Sequence, residues 1–444
     1  MHSLNDILQA KSIAVVGASG NPEKMGHTLL NNIIKGDFDG GIYPINPKEE
    51  SILGKECYKS LGDVPGSVDL AVVCVPGKLV RDVVDEAGKK AVKGLIIISG
   101  GFKEIGNDGL ENEIVAIAKS YGMRIIGPNC QGVNYTGNKM CATWPFVKTK
   151  GSIGVVSQSG TIGAEMELLA EKDGIGVSCF AALGNKSDIS EVDFVNFFAD
   201  DPHTKVIALN IEGIREGSGF IEALRAAAQK KPVVILKPGR TEKGRMAVAS
   251  HTKSIAGNDR LFGAFCRKYG IIRALDLTEF YDFCKMASFV ARPGGNRMLV
   301  VTSSGGAGIL ATDTAEENNI DMILLSDGLK SALGKVLPPQ CVLSNPLDLT
   351  GDARAERFAN AFEALCKDQS FDILLPIFGD PIPGAYEVTE TLRKKTKAAV
   401  VVSYLGGGAD QEAEVALMNA NRMPVYPTPE RAVKSARAVL GLLR

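Results

Sequence analysis

Histidine, aromatic residues and long apolar runs are all scarce in this sequence. Four histidines and one tryptophan stand among 444 residues, so chemistry that needs an imidazole has few candidates. No run reaches the ~18 consecutive apolar residues that span a bilayer. The opening Met1-His2-Ser3-Leu4-Asn5-Asp6 lacks the basic-then-apolar order of a secretory leader. The nine cysteines are scattered and form neither a Cys-x-x-Cys pair nor a cluster with histidine. That pattern argues against structural zinc, and an odd number suits no disulfide framework. A reduced, cytoplasmic setting is the expectation. Fifty basic residues face 51 acidic ones, for a net charge of −1. Such a balance supplies no broad face for a polyanion, so neither a nucleic acid nor a membrane is expected as a partner.

Glycine, by contrast, is abundant: 49 residues, well above the usual ~7%. An excess of this kind points to tight turns and close approach of backbone to ligands. At roughly 100–200 residues per domain the length predicts two to four domains, with three the central value. Short β-branched runs at 12–16, 41–45, 70–75, 95–99 and 123–126 alternate with helical patterns such as 79–90 and 109–121. Continuous apolar strands separated by helices indicate a parallel sheet covered on both faces, a doubly wound α/β domain. A second series begins near Gly151, with strands at 152–156, 176–181, 206–211 and 232–237. The stretch 238–291 shows no obvious strand, and 291–296 reads as a linker by its Pro and Gly content. A third series runs through 298–301, 371–376 and 398–402. The segments 154–163 and 299–308 echo each other: apolar strand, small polar turn, glycines, helical pattern.

Several strand ends carry residues suited to binding. Val16-Gly17-Ala18-Ser19-Gly20 follows the first strand, where glycines let backbone N–H groups approach a phosphate. The spacing is not Gly-x-Gly-x-x-Gly, so the dinucleotide fingerprint is missing. The second strand ends in Asn46-Pro47-Lys48. A lysine there suits a phosphorylated ribose, as in coenzyme A or NADP; it also suits a solvated loop. Val75-Pro76, Ser99-Gly100 and Asn129-Cys130 end the next three strands, at the edge where open α/β sheets bind ligands. Plain turn chemistry explains each one alone, and a lone Cys130 is more often a small buried hydrophobe. Ser157-Gln158-Ser159-Gly160-Thr161 and Gly305-Gly306-Ala307-Gly308 both read as anion cradles at helix starts. Of the histidines, His251 follows a long Gly/Lys/Arg-containing segment and can act as a nucleophile, although pattern alone favours a satisfied loop histidine; Glu212 ends an apolar strand, where a carboxylate can accept an imidazole N–H or stand as an ordinary exposed charge.

Taken together, the carriers resemble the α-type subunit of ADP-forming acetyl-CoA synthetase (NDP-forming acyl-CoA synthetase), a family related to succinyl-CoA synthetase. They are Val16-Gly17-Ala18-Ser19, Tyr43-Pro44-Ile45-Asn46-Pro47-Lys48, Gly127-Pro128-Asn129-Cys130-Gln131-Gly132, Ser157–Thr161, Ile211-Glu212-Gly213, Ser250-His251-Thr252 with Ala256-Gly257, and Asn345-Pro346-Leu347-Asp348-Leu349-Thr350-Gly351. The resemblance implies an N-terminal Rossmann-like CoA-binding domain (1–145) and two flavodoxin-like doubly wound ligase domains (146–291 and 292–444). It implies that acyl-CoA, ADP and phosphate give free acid, ATP and CoA, reversibly, through an acyl phosphate and a phosphohistidine at His251, oriented by Glu212. Coenzyme A would lie against Gly17, Ala18, Ser19, Gly20, Asn46, Lys48, Val75, Pro76, Ser99, Gly100, Asn129 and Cys130. Phosphate would lie against Ser157–Thr161 and Gly305–Gly308. Lys253 departs from the pattern, which usually has glycine there, and Ile255 is often leucine. The sequence holds no Walker A motif and no ATP-grasp-like domain. ADP or ATP and Mg²⁺ are therefore expected on a separate ATP-grasp β subunit, in an α2β2 assembly; no metal ligand is expected on this chain. Two other readings stay open on the residues alone: a non-catalytic acyl-CoA-binding scaffold of the same architecture, and an NADP-binding oxidoreductase.

Overall fold

The five apolar runs of the N-terminal series form one parallel sheet. The computed structural model describes residues 2–214, 217–252, 258–368 and 370–442, and for 250–252 the backbone alone. Strand order is Gly41–Ile45, Ser12–Val16, Leu70–Val73, Gly94–Ile97, Arg124–Ile126, all parallel. Every residue of Ser12–Val16, Leu70–Val73 and Gly94–Ile97 is buried, which is why these strands read as unbroken apolar runs. The crossover helix Gly77–Lys89 buries Val80, Val84, Ala87 and Gly88, one face of a 3.6-residue period. Order reverses between Ser12–Val16 and Leu70–Val73, the switch point where sheets of this kind open a crevice at their carboxyl ends.

A second sheet places Val233–Leu236, Val206–Asn210, Lys150–Ser157 and Val177–Ala182 side by side, all parallel. The hairpin Gly132–Tyr135 and Met140–Thr143 then adds antiparallel strands to Val177–Ala182. These hairpin residues fall within the expected first domain, yet they hydrogen-bond to the second sheet. Their runs are short and interrupted by polar residues, so they carry no strong strand signal. Asn134 pins the hairpin from inside, donating to Val147 O at 3.3 Å and Glu167 Oε1 at 2.6 Å. The stretch 238–291 is mostly helical, with Glu242–Thr252, Asp259–Lys268 and Leu277–Phe289, and it does contain one short strand, Ile272–Ala274. The chain divides into two compact units, Met1–Lys172 with Gly176–Tyr269, and Asp173–Ile175 with Gly270–Arg444. The first sheet and the six strands named above for the second lie in the first of these units.

In the second unit the order is Val342–Leu343, Leu347–Asp348, Arg297–Thr302, Ile373–Phe378, Val402–Tyr404, Val425–Tyr426, with only the first strand antiparallel. Asn345 fixes the centre: its side chain donates to Met298 O at 2.8 Å and Ile323 O at 3.1 Å and accepts from Val300 N at 3.0 Å. Both echoing segments take one form: Lys150–Ser157 leads to helix Gly160–Lys172, and Arg297–Thr302 leads to helix Gly305–Glu317. Among the described residues no helix is long and apolar enough to cross a membrane.

Candidate functional site

Parallel strands bring the turns 17–20, 46–49, 74–77, 98–101 and 127–130 to one edge of the first sheet. Gly17 has φ +93°, and a Cβ there would stand 3.0 Å from both Cys74 O and Val75 Cγ1. Gly26, at the start of helix Met25–Lys35, presses on the Gly17 carbonyl so closely that any side chain would overlap it. That approach is the work a glycine does in a phosphate-binding turn, carried out here by a residue the sequence reading passed over. The helix itself starts at Met25, eight residues after Gly17, so Gly17–Gly20 form a loop ahead of it rather than its first turn. Ala18 and Ser19 are buried. The Ala18 carbonyl accepts from Asn46 Nδ2 at 2.8 Å, and the Ser19 carbonyl lies 3.1 Å from His27 Nδ1. Lys48 is exposed beside them. Its neighbour Glu49 accepts from the Gly20 N–H at 3.1 and 3.2 Å, an acid on the loop that sequence reasoning had not placed there.

Ser99 is buried and donates to Val75 O at 2.5 Å, while Pro76, Gly100 and Asn129 face solvent. Gly77 passes the Gly100 carbonyl where a Cβ would come within 2.5 Å. Burial pushes the Cys74 and Cys130 thiols up to about 12. Cys130 donates to Ile97 O at 3.3 Å. A thiol so held is neutral and packs as a small hydrophobe. Glu104 closes the turn after Gly100, accepting from Gly101 N at 2.5 Å and Phe102 N at 3.1 Å. Partial burial raises its pKa, but hydrogen bonds from Asn185 and the two amides outweigh that and hold it below the ordinary range.

In the second sheet, the loop after Lys150–Ser157 meets the end of Val206–Asn210. Gln158 directs its carboxamide onto the turn after Val206–Asn210. Its Oε1 accepts from Glu212 N at 2.6 Å and Gly213 N at 2.9 Å, and its Nε2 donates to Gly213 O at 2.7 Å. Gln158 therefore holds the backbone of the Glu212 turn. Ser157 is buried and donates to Ser159 O at 2.5 Å; Thr161 is exposed, while Gly160 is half-buried, with Gln131 Cδ 2.6 Å from where its Cβ would be. Glu212 is buried. His251 falls in the last turn of helix Glu242–Thr252; Lys253, Ile255, Ala256 and Gly257 lie outside the described residues. In the second unit, Ser304 caps helix Gly305–Glu317. Gly305 and Gly306 are exposed at its start, whereas Ala307 and Gly308 are buried, with Gly308 packed on Pro346. Asp348 Oδ2 stands 2.9 Å from where a Gly305 Cβ would be. Among the described residues no three His, Cys, Asp or Glu side chains gather to hold a metal.

Three family models match end to end: a CoA binding domain over residues 11–136, a succinyl-CoA ligase like flavodoxin domain over 150–287, and a Ligase-CoA domain over 298–442. The chain is 37% identical, over 98% of its own length and 97% of the relative's, to the acetate–CoA ligase [ADP-forming] I subunit alpha of Pyrococcus furiosus. It belongs to the family of ADP-forming acyl-CoA synthetases. An acetate–CoA ligase [ADP-forming] of Methanocaldococcus jannaschii is 38% identical over 98% of this chain and 62% of that relative. Among solved structures, the dinucleotide forming acetyl-coenzyme A synthetase 1 of Ca. Korarchaeum cryptofilum, in complex with phosphate and ADP, superposes with a TM-score of 0.89 at 36% identity. The match covers 97% of this chain and 95% of that one. The family's three-domain α/β architecture is the one described above. Around the turns of the first sheet, the contacts of Gly26 and Glu49 were not legible in the sequence.

Proposed function

We propose that this chain is the α subunit of an ADP-forming acyl-CoA synthetase that interconverts acyl-CoA, ADP and phosphate with free acid, ATP and CoA. The observation that carries the reading is the Gln158 clamp. It ties the start of helix Gly160–Lys172 to the Glu212 turn, so a phosphate on the helix N–H groups and the Glu212 carboxylate share one rigid frame. Coenzyme A lies at the edge of the first sheet, against the turns at Gly17–Gly20, Asn46–Lys48, Val75–Pro76, Ser99–Gly100 and Asn129. A phosphate oxygen attacks the thioester carbonyl; the C–S bond breaks and CoA leaves as its thiol, giving an acyl phosphate. His251 then attacks phosphorus through one ring nitrogen, and the carboxylate departs with the bridging oxygen. Glu212 accepts the N–H of the other ring nitrogen, fixes the tautomer and stabilises the positive charge of the phosphorylated ring. Positioning and charge stabilisation supply most of the catalysis, as in other phosphoryl transfers. ADP takes the phosphoryl group from His251.

The nucleotide and Mg²⁺ are assigned to an ATP-grasp β subunit in an α2β2 complex. The name of the Pyrococcus furiosus relative, a subunit alpha, supports a partner chain. The test is ATP formation from acetyl-CoA, ADP and phosphate by the complex that co-purifies with the chain. ATP is expected with the native protein and none above background with His251→Asn. Equal ATP from both would refute the histidine route.

A further inference from the structure

Loop 183–188 enters the Glu212 turn from a third direction. It follows strand Val177–Ala182, and at its apex Lys186 takes φ +46°, a left-handed conformation that non-glycine residues rarely hold. The side chain turns inward and is 9% exposed. Its ammonium donates to Glu191 Oε1 at 2.9 Å, Glu191 Oε2 at 3.0 Å and Gly213 O at 2.7 Å. Glu191 is itself buried, in the first turn of a helix whose start is fixed by a Ser190–Asp193 capping box. The Gly213 carbonyl thus receives both Gln158 Nε2 and Lys186 Nζ, while Gln158 Oε1 takes the N–H groups on either side of Glu212's own carbonyl.

A buried ion pair is poor value as a stability device, because desolvating both charges offsets most of their attraction. Its worth lies in geometry. The same loop is anchored at its other end by Asn185. That side chain donates to Glu104 Oε2 at 2.6 Å and Glu111 Oε2 at 2.9 Å, and its backbone N–H reaches Pro128 O at 2.9 Å. Ser187 adds a bond to Gly127 O at 3.0 Å through its N–H. The turn beside Glu212 is therefore braced against the turns that end the first sheet.

We propose that Lys186 is a positioning residue for phosphoryl transfer: its ammonium, anchored on Glu191, holds the Gly213 carbonyl and so sets the direction of the Glu212 carboxylate. The inference rests on the reading of Glu212 given under the proposed function. In this role Lys186 acts through Glu212.

The experiment is single-turnover phosphoryl labelling of the co-purified complex from acetyl-CoA and radiolabelled phosphate, together with the KM for acetyl-CoA. Lys186→Met is expected to slow labelling by about 10- to 100-fold, with KM unchanged within about twofold. Placed in a Glu212→Gln background, it is expected to add no further loss. If Lys186→Met fails to fold, judged by the melting curve and Trp144 fluorescence, Glu191→Gln replaces it. That change keeps the lysine and weakens its anchor, with the same pattern expected at smaller size. A full, multiplicative loss in the Glu212→Gln background, a rise in KM without a change in labelling, or no effect in the single variant would overturn the proposal. No effect of Glu212→Gln on its own would instead overturn the underlying reading of Glu212.

Discussion

Helix Gly160–Lys172 carries a carboxyl group that the surrounding fold keeps protonated, and replacing it gives a stability change with a definite dependence on pH. Glu167 has no exposed surface. Its Oε1 accepts from Asn134 Nδ2 at 2.6 Å, and its Oε2 has no hydrogen-bond partner. Burial, reinforced by nearby Glu171 and opposed only by the Asn134 bond, pushes its pKa from 4.5 up to about 8. The folded chain then holds a proton that the unfolded chain releases as pH passes 4.5. Folded stability therefore falls as pH rises from about 4.5 to 8 and levels off above that. At 1.36 kcal/mol per pH unit the loss between pH 5 and 8.5 is on the order of 4 kcal/mol. Glu167→Gln keeps the shape and the Asn134 acceptor and removes the titration. The variant is expected to match the native chain within about 1 kcal/mol at pH 5 and to exceed it by about 4 kcal/mol at pH 8.5. Urea titrations at the two pH values measure this, read by fluorescence of Trp144, the one tryptophan of the chain. Trp144 lies in the same compact unit. A gap between variant and native chain that is the same at both pH values would refute the reasoning.

Two glycines of the first domain are expected to answer alanine with opposite signs. Gly26→Ala, which drives a methyl group into the Gly17 carbonyl, should destabilise the first unit by about 1–3 kcal/mol and weaken CoA binding in calorimetry. Gly109→Ala, in helix Asp108–Ser120 with nothing within 4 Å of the new methyl, should stabilise it by about 0.5–1 kcal/mol. In the second unit, Arg431 grips Asp282 through two bonds of 2.7 Å. Arg431→Met leaves that buried carboxylate without its cation and should cost about 3–5 kcal/mol, seen as a lower melting temperature; an unchanged melt would contradict it.

The parts of the fold that were legible are those whose signal is local. Ser12–Val16 and Leu70–Val73 are buried on both faces and so are apolar at every position, and the glycine turns after them mark the carboxyl edge of the sheet. The hairpin Gly132–Tyr135 and Met140–Thr143 was not legible, because its polar Asn134 and Thr143 face buried partners rather than solvent. At the candidate site, Glu212 announced itself as an acid ending an apolar strand. The place of Gln158 in Ser157-Gln158-Ser159 says nothing of where its carboxamide goes, which is onto the Glu212 turn. Asn185 and Lys186 carried no signal at all. Asn185 meets Pro128 and Asn129 only through packing between the first two domains, and Lys186 meets Gly213 only through packing within the second.

The central claim is that a phosphoryl group passes through the imidazole of residue 251. Its most direct measurement is to incubate the co-purified complex with acetyl-CoA and radiolabelled phosphate, quench in base, and map the label by peptide sequencing. A base-stable, acid-labile phosphate on His251 is the predicted result. A complex that makes ATP while residue 251 stays unlabelled at every time point would contradict the account.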